Sequence, residues 1–215
     1  MPVTFSPYCA ISRPPRDGLF ADGHTDVGAR MDAAEAEARA EGKSLLVIKA
    51  TSAMPREIVE RELLGRTGMR AVMVVRRQID AYVSLAKATA LGAFRDRDLT
   101  GVKVRLDPAH FAAWLDEQED WYGHWQEWLL RRSFPAPILR YETHLAGPAE
   151  SALRRFVAAA AQVGITVRVP AALPHGGLVR QDRETAAASR VRNWVEFSKA
   201  LVERDIEKRA FGYPI

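Results

Sequence analysis

Short apolar runs alternate along this chain with longer stretches of helical period, and that alternation restricts the fold more than any other feature. SLLVIK (residues 44–49), RAVMVV (70–75), PILRY (137–141) and Ile165 to Val169 are short and apolar-rich, and read as strands. The stretches between them read as helices. Residues 26–42 are alanine-rich with interspersed Glu and Arg, and stop at Gly42. Pro55 can open a helix to about Gly65, with Ile58, Val59 and Leu63 facing inward. Residues 79–91 carry Ile79, Tyr82, Val83 and Ala86 at helical spacing. Asp107 and Pro108 cap and start a long helix whose Phe111, Trp114, Trp121, Trp125 and Trp128 share one face, as core or as the wall of an acceptor pocket. Pro148 opens another helix that ends at Gly164, and a last one is expected from about Thr185 to Lys208. The pattern predicts an α/β fold: a three-layer sandwich with a parallel sheet, formed as one domain over 1–215 with an irregular segment at 1–26.

Composition narrows the function classes. The 215 residues are 47% hydrophobic and 27% charged, ordinary values for a globular chain with one core. No apolar run approaches the roughly 20 residues of a membrane span. No basic segment followed by an apolar one opens the chain, so a cytoplasmic location is expected. Cys9 is the single cysteine, which excludes an intramolecular disulfide and a cysteine metal cluster. No His/Asp/Glu spacing suggests a metal site. The net charge of +4 favours an anionic ligand. Nucleic acid is not the expected partner, because no block of five or six basic residues occurs and no strand interleaves aromatic with basic side chains.

Three segments carry candidate chemistry. In VVRRQIDAYVSL (74–85) a buried strand ends in Arg76 and Arg77, and a helix begins at once. Ligands of open α/β sheets collect at such strand ends, and helix N-termini attract anions. An arginine there and Ser84, about two turns into the helix, could clasp one phosphate; alternatively the arginine pairs with surface carboxylates and Ser84 packs. In ILRYETHLAGPAESALRRFVAAA (138–160) a strand ends in Arg140, Tyr141 and Glu142, and Pro148 starts a helix. Tyr141 is a ligand contact or a strand-end tyrosine anchored by its hydroxyl. RQDRETAAASRVRNWVEFSKAL (180–201) is a basic loop leading into a helix, or simply an amphipathic surface helix.

Taken together and in this order, the three segments resemble the PAPS-dependent sulfotransferases of bacterial type, over roughly 43–197. Arg76, Asp80 and Ser84 match the spacing of that family's 3′-phosphate motif, with Gln78 where a proline is usual. The resemblance implies a P-loop-nucleotide-hydrolase-like fold and PAPS (3′-phosphoadenosine 5′-phosphosulfate) as co-substrate, with no metal. It implies transfer of a sulfuryl group to the hydroxyl or amine of a small-molecule or carbohydrate acceptor. By the same resemblance Arg76 and Ser84 hold the 3′-phosphate, and Tyr141 lies near the adenine. Basic residues of the last segment close over the nucleotide, with Arg180, Arg183 and Arg190 the loop candidates and Arg192 at the helix that follows. Lys49 takes the position of a lysine near the sulfuryl group, with Thr51 where a catalytic histidine is usual, and His24 is the remaining candidate beside the acceptor. The family's strand, Gly/Ser/Arg-rich phosphate loop and helix have no match here. SRPPRDGLF (12–20) carries two prolines that each remove an N–H such a cradle would use. An N-terminally truncated member with poor turnover is therefore expected, or a non-catalytic relative that binds a nucleotide or a partner. An edge left by an absent strand would favour a homodimer.

Overall fold

A computed structural model describes residues 3–4, 27–43, 45–92, 94, 97–168 and 182–215. In chain order the elements are strand β1 (Val3–Thr4), helix α1 (Val27–Ala40), helix α2 (Arg56–Ile58) continued by a π-helical stretch Val59–Leu64, strand β2 (Met73–Val75) and helix α3 (Gln78–Leu91). Next come helix α4 (Pro108–Arg131), strand β3 (Ile138–Arg140), a π-helical turn Tyr141–Leu145, helix α5 (Ala149–Gln162) and strand β4 (Val167–Arg168). Helices α6 (Ala187–Arg190), α7 (Trp194–Glu203) and α8 (Glu207–Phe211) complete the chain. The architecture is mixed α/β with helices predominant. Among the described residues the strands form two two-stranded sheets, β1 with β4 and β2 with β3. The β1–β4 pair is parallel, in the register Val3 to Val167 and Thr4 to Arg168.

The chain divides into two compact units. The first is drawn from the stretches Met1–Met73, Pro135–Leu139 and Gly147–Pro174. In it α1 packs on the π-helical stretch Val59–Leu64, and Arg66 pairs with Asp32 and Glu35 of α1. Ile58, Val59 and Leu63 are buried, as their helical spacing predicts. Gly42 ends α1 at φ 70°, a conformation that costs any other residue more than glycine. Arg70 donates from Nε to the Val163 carbonyl at 3.0 Å, and the Met73 N–H donates to the Pro137 carbonyl at 2.9 Å.

One strand expectation is corrected. The described part of SLLVIK, residues 45–49, is not a strand. Leu45 to Ile48 have the half-buried, apolar character of one, but a strand also requires a hydrogen-bonded ladder, and among the described residues none forms there. The other three runs do become strands, each shorter than its apolar run.

The second unit is drawn from Val74–Phe134, Arg140–Ala146 and His175–Ile215. Its core joins Ile79, Tyr82 and Val83 of α3 to Phe111 and Leu115 of α4 and to Phe197 and Leu201 of α7. Phe111, Leu115, Phe197 and Leu201 are fully buried. On α4, Phe111, Trp121 and Trp125 are buried while Trp114 and Trp128 are half-buried, so the aromatic face is mainly core.

The last helix breaks into three, and the cause is tertiary. Val191 is extended, at φ −115° and ψ 126°, and forms a parallel bridge with Val104. The Val104 N–H donates to the Arg190 carbonyl at 3.0 Å, and the Arg192 N–H donates to the Val104 carbonyl at 2.8 Å. Two residues on, the Asn193 side chain acts as a further peptide group. Its Oδ1 accepts from the Leu106 N–H at 3.0 Å and its Nδ2 donates to the Leu106 carbonyl at 2.9 Å. Asp205, at φ 55°, separates α7 from α8.

Asp107 caps α4 as expected: its carboxylate accepts from the N–H groups of Ala109 at 2.7 Å and His110 at 2.9 Å. These bonds, with the one from His110 the stronger influence, hold the Asp107 carboxyl below its ordinary value. A carboxyl depressed on folding stabilises the protein above its unfolded pKa, roughly 3.9. That stability is lost as pH falls through the lower folded value. Wild-type protein should therefore lose more thermal stability than Asp107→Ala as pH is taken below about 4. Melting curves measured across the acid range check this; parallel pH profiles for the two proteins would show that the cap carries no charge-dependent stability.

Candidate functional site

The candidate site lies in the second unit, where β2 ends and α3 starts. Val75 is the last residue of β2, Arg76 and Arg77 follow, and Gln78 opens α3. The first amides of α3 are met by the protein's own groups. The Gln78 N–H donates to the Gly212 carbonyl at 3.0 Å. The Arg77 N–H is shared between the two carboxylate oxygens of Glu142, at 3.3 Å from each.

Arg76 and Tyr141, 65 positions apart, come into contact here. The Arg76 guanidinium carbon stands 4.7 Å from the centre of the Tyr141 ring, a cation–π arrangement. Arg76 Nε also lies 3.5 Å from Glu142 Oε1, within ion-pair range, but makes no hydrogen bond, and Arg77 Nε is likewise buried without one. A second stacked pair completes the cluster: the Arg140 guanidinium carbon lies 5.2 Å from the centre of the Tyr213 ring. Burial, reinforced by the Glu142 charge, pushes the pKa of the Tyr213 hydroxyl up. The Glu142 carboxylate thus meets the Arg76 guanidinium and the Arg77 N–H, with the Arg76–Tyr141 and Arg140–Tyr213 stacks beside it in the same stretch of chain. In chemical terms this is an electropositive, aromatic-walled place, suited to an anion attached to a flat ring.

One face of α3 runs from Asp80 through Ser84 to Lys87, at steps of four and three. Asp80 is 4% exposed, and Arg190, at 2%, pairs with its Oδ1. Arg77 Nη2 is 2.7 Å from Asp80 Oδ2, a charge contact by distance whose angle makes no hydrogen bond. Lys87 is wholly buried; its Nζ meets Asp182 Oδ2 at 2.7 Å and the Leu99 carbonyl at 3.2 Å. Residues 182–190 are therefore fastened to α3 at both ends. Ser84, half-buried, sits on the helix between the two fastenings.

No family model, no curated protein and no solved structure matches this chain.

The residues singled out in the sequence fall into five groups. Arg76 and Tyr141 touch. Ser84 shares α3 with the Arg76 end but points along the Asp80–Lys87 face. Arg190 faces inward, where its guanidinium is committed to Asp80 and to the carbonyls of Ala186 and Thr185, so in this structure it anchors the chain rather than standing open to a ligand. Arg192 is exposed, and Lys49 is exposed in the first unit. His24, Ser44, Arg180 and the SRPPRDGLF segment lie outside the described residues. Sequence reasoning missed the roles of Glu142 and Tyr213. Glu142 adjoins Tyr141 and could have been weighed as a partner for the arginines. Tyr213 has no local motif, and nothing in the sequence places it beside Arg140.

Two further features bear on function. An open cleft of about 390 Å³ is lined by Arg105, Leu106, Asp107, Pro108, Asn193, Glu196 and Phe197, and shares no residue with the Arg76 cluster. Its polar groups are largely committed: Asp107 to the α4 cap, Asn193 to Leu106, and Glu196 to Arg105 at 3.4 Å. Among the described residues no group of three or more His, Cys, Asp or Glu side chains could hold a metal ion, and no helix is long and apolar enough to cross a membrane.

Proposed function

We propose that this chain is a sulfotransferase-type protein that binds the 3′-phosphoadenosine end of PAPS at the junction of β2 and α3. The observation that carries the reading is the contact between Arg76 and Tyr141, the two residues that the resemblance assigns to the 3′-phosphate and the adenine. Separate stretches of chain supply them, and the Glu142 that follows Tyr141 lies within ion-pair range of Arg76. The fold that goes with this reading is the three-layer, P-loop-like sandwich with a parallel sheet, in a cytoplasmic protein.

The reaction is an in-line displacement at sulfur. The acceptor's oxygen or nitrogen forms a bond to sulfur as the bond from sulfur to the 5′-phosphate oxygen breaks. The acceptor's proton goes to a base, PAP (3′-phosphoadenosine 5′-phosphate) leaves, and the sulfated acceptor is the second product. A fixed cation beside the transferring group stabilises its charge, a role proposed for Lys49; His24 is the candidate at the acceptor.

A second reading, a nucleotide- or partner-binding domain without catalysis, is favoured by Glu142. Its carboxylate already occupies the Arg77 N–H that would otherwise face an anion.

The test has two arms. Calorimetric titration with PAP and with adenosine 5′-monophosphate should show PAP binding at least about tenfold more tightly, since only PAP offers a 3′-phosphate for a charge-assisted hydrogen bond. Equal affinities would remove the 3′-phosphate from the reading. Release of PAP from PAPS, followed with a panel of hydroxyl and amine acceptors, separates enzyme from binding domain.

A further inference from the structure

We infer that Glu142 is an internal stand-in for the ligand's phosphate: it holds the arginine cluster when no nucleotide is bound, and a phosphate monoester must displace it to bind. The inference rests on the nucleotide reading above and concerns the regulation of that same site.

Glu142 is anchored by contacts that a phosphate would also seek. Its two oxygens share the Arg77 N–H at 3.3 Å each, and Arg76 Nε stands 3.5 Å from Oε1. The measured separations are at or beyond the long end of the hydrogen-bond range. They contrast with the 2.7 Å ion pairs of Asp80 and Lys87 on the neighbouring helix. The carboxylate is held by several loose contacts and no tight one.

It also leaves donors unspent. Arg76 Nε and Arg77 Nε are both buried without a hydrogen-bond partner. Buried donors are normally satisfied, and Arg76 Nε, facing Glu142 at 3.5 Å, marks a place where a better-placed acceptor is missing. A phosphate monoester brings three acceptor oxygens and a charge of roughly −1.5 to −2, against two oxygens and a single charge for Glu142. The backbone permits the exchange: Glu142 lies in the π-helical turn Tyr141–Leu145, a geometry less regular than an α-helix and common at functional sites.

Calorimetric titration with PAP tests this on the full chain and on the variants Glu142→Gln, Glu142→Ala and Arg76→Ala, each checked for folding by thermal melting. Glu142→Gln removes the competing charge and should bind PAP about tenfold more tightly than wild type. Glu142→Ala removes the carboxylate without touching Arg76 and should tighten binding to a similar extent. Binding by Glu142→Gln where wild type shows none would equally support displacement. Unchanged or weaker binding by Glu142→Gln, beside measurable binding by wild type, would make Glu142 a helix cap and overturn this inference while leaving the nucleotide reading in place. Should Glu142→Gln fail to fold, Glu142→Ala decides alone, with unchanged or weaker binding overturning the inference. Wild-type binding that is indifferent to Arg76→Ala would put the nucleotide elsewhere. Absence of PAP binding in every protein would overturn the nucleotide reading, and the inference with it.

Discussion

Replacing Asp80 by alanine is expected to lower the unfolding free energy by about 3–5 kcal/mol, the cost of removing one partner from a buried ion pair. Asp80 is 4% exposed and Arg190 2%, so neither charge can turn to water when the other is lost. Arg190 keeps its bonds to the carbonyls of Ala186 and Thr185, at 3.3 and 3.5 Å, but these neutral groups do not balance its charge. Arg77 loses a charge partner as well. Urea denaturation of wild type and Asp80→Ala measures the difference. The double variant Asp80→Leu with Arg190→Met should recover most of it, because the cost comes from the orphaned charge rather than from the loss of a net-favourable pair. An Asp80→Ala protein within about 1 kcal/mol of wild type would mean that water reaches Arg190 on a small rearrangement, and that residues 182–190 are not firmly seated.

Replacing Arg76 by alanine is expected to weaken PAP binding by about 1.5–3 kcal/mol, roughly 10- to 150-fold, the range for a hydrogen bond to a charged group. The substitution removes the guanidinium that lies over Tyr141 and an ion-pair partner of Glu142. Arg76→Lys separates the two contributions. It keeps the charge but not the planar fork, so an affinity between those of wild type and Arg76→Ala is the expected result. Arg76 is about one-third exposed, so its loss should cost little stability, and melting temperatures of the three proteins should agree closely. Equal PAP affinity for wild type and Arg76→Ala would exclude Arg76 from the nucleotide site.

Elements set by local signals could be read from the sequence. Asp107 and Pro108 announced the start of α4, and Gly92, at φ 59°, closes α3 where the helical spacing ran out. The Arg76-to-Ser84 spacing and the Arg140-to-Glu142 strand end marked the candidate site because each lies within one short segment. What escaped depends on distant chain. The stretch 185–208 has the composition of one helix, yet Val191 leaves helical geometry to bond Val104, which is 87 residues away. SLLVIK has the composition of a strand, but strand formation needs a neighbouring ladder, which composition cannot supply. Arg190 reads as a loop cation open to a ligand; its burial against Asp80, 110 positions away, follows from the packing of 182–190 on α3.

The two fastenings of 182–190 carry their charges in opposite sense. At one end the helix supplies the cation, Lys87, and the segment the anion, Asp182; at the other the helix supplies the anion, Asp80, and the segment the cation, Arg190. Docking the segment end for end would set Arg190 against Lys87 and Asp182 against Asp80, two like-charge encounters where water is largely excluded. The pairs therefore act as a polarity key that admits only one orientation of the segment on α3. Making both fastenings alike in sense, by exchanging Lys87 and Asp182, would put both anions on the helix and both cations on the segment; the reversed docking would then be as complementary as the present one, and the chain would lose its electrical means of telling the two apart.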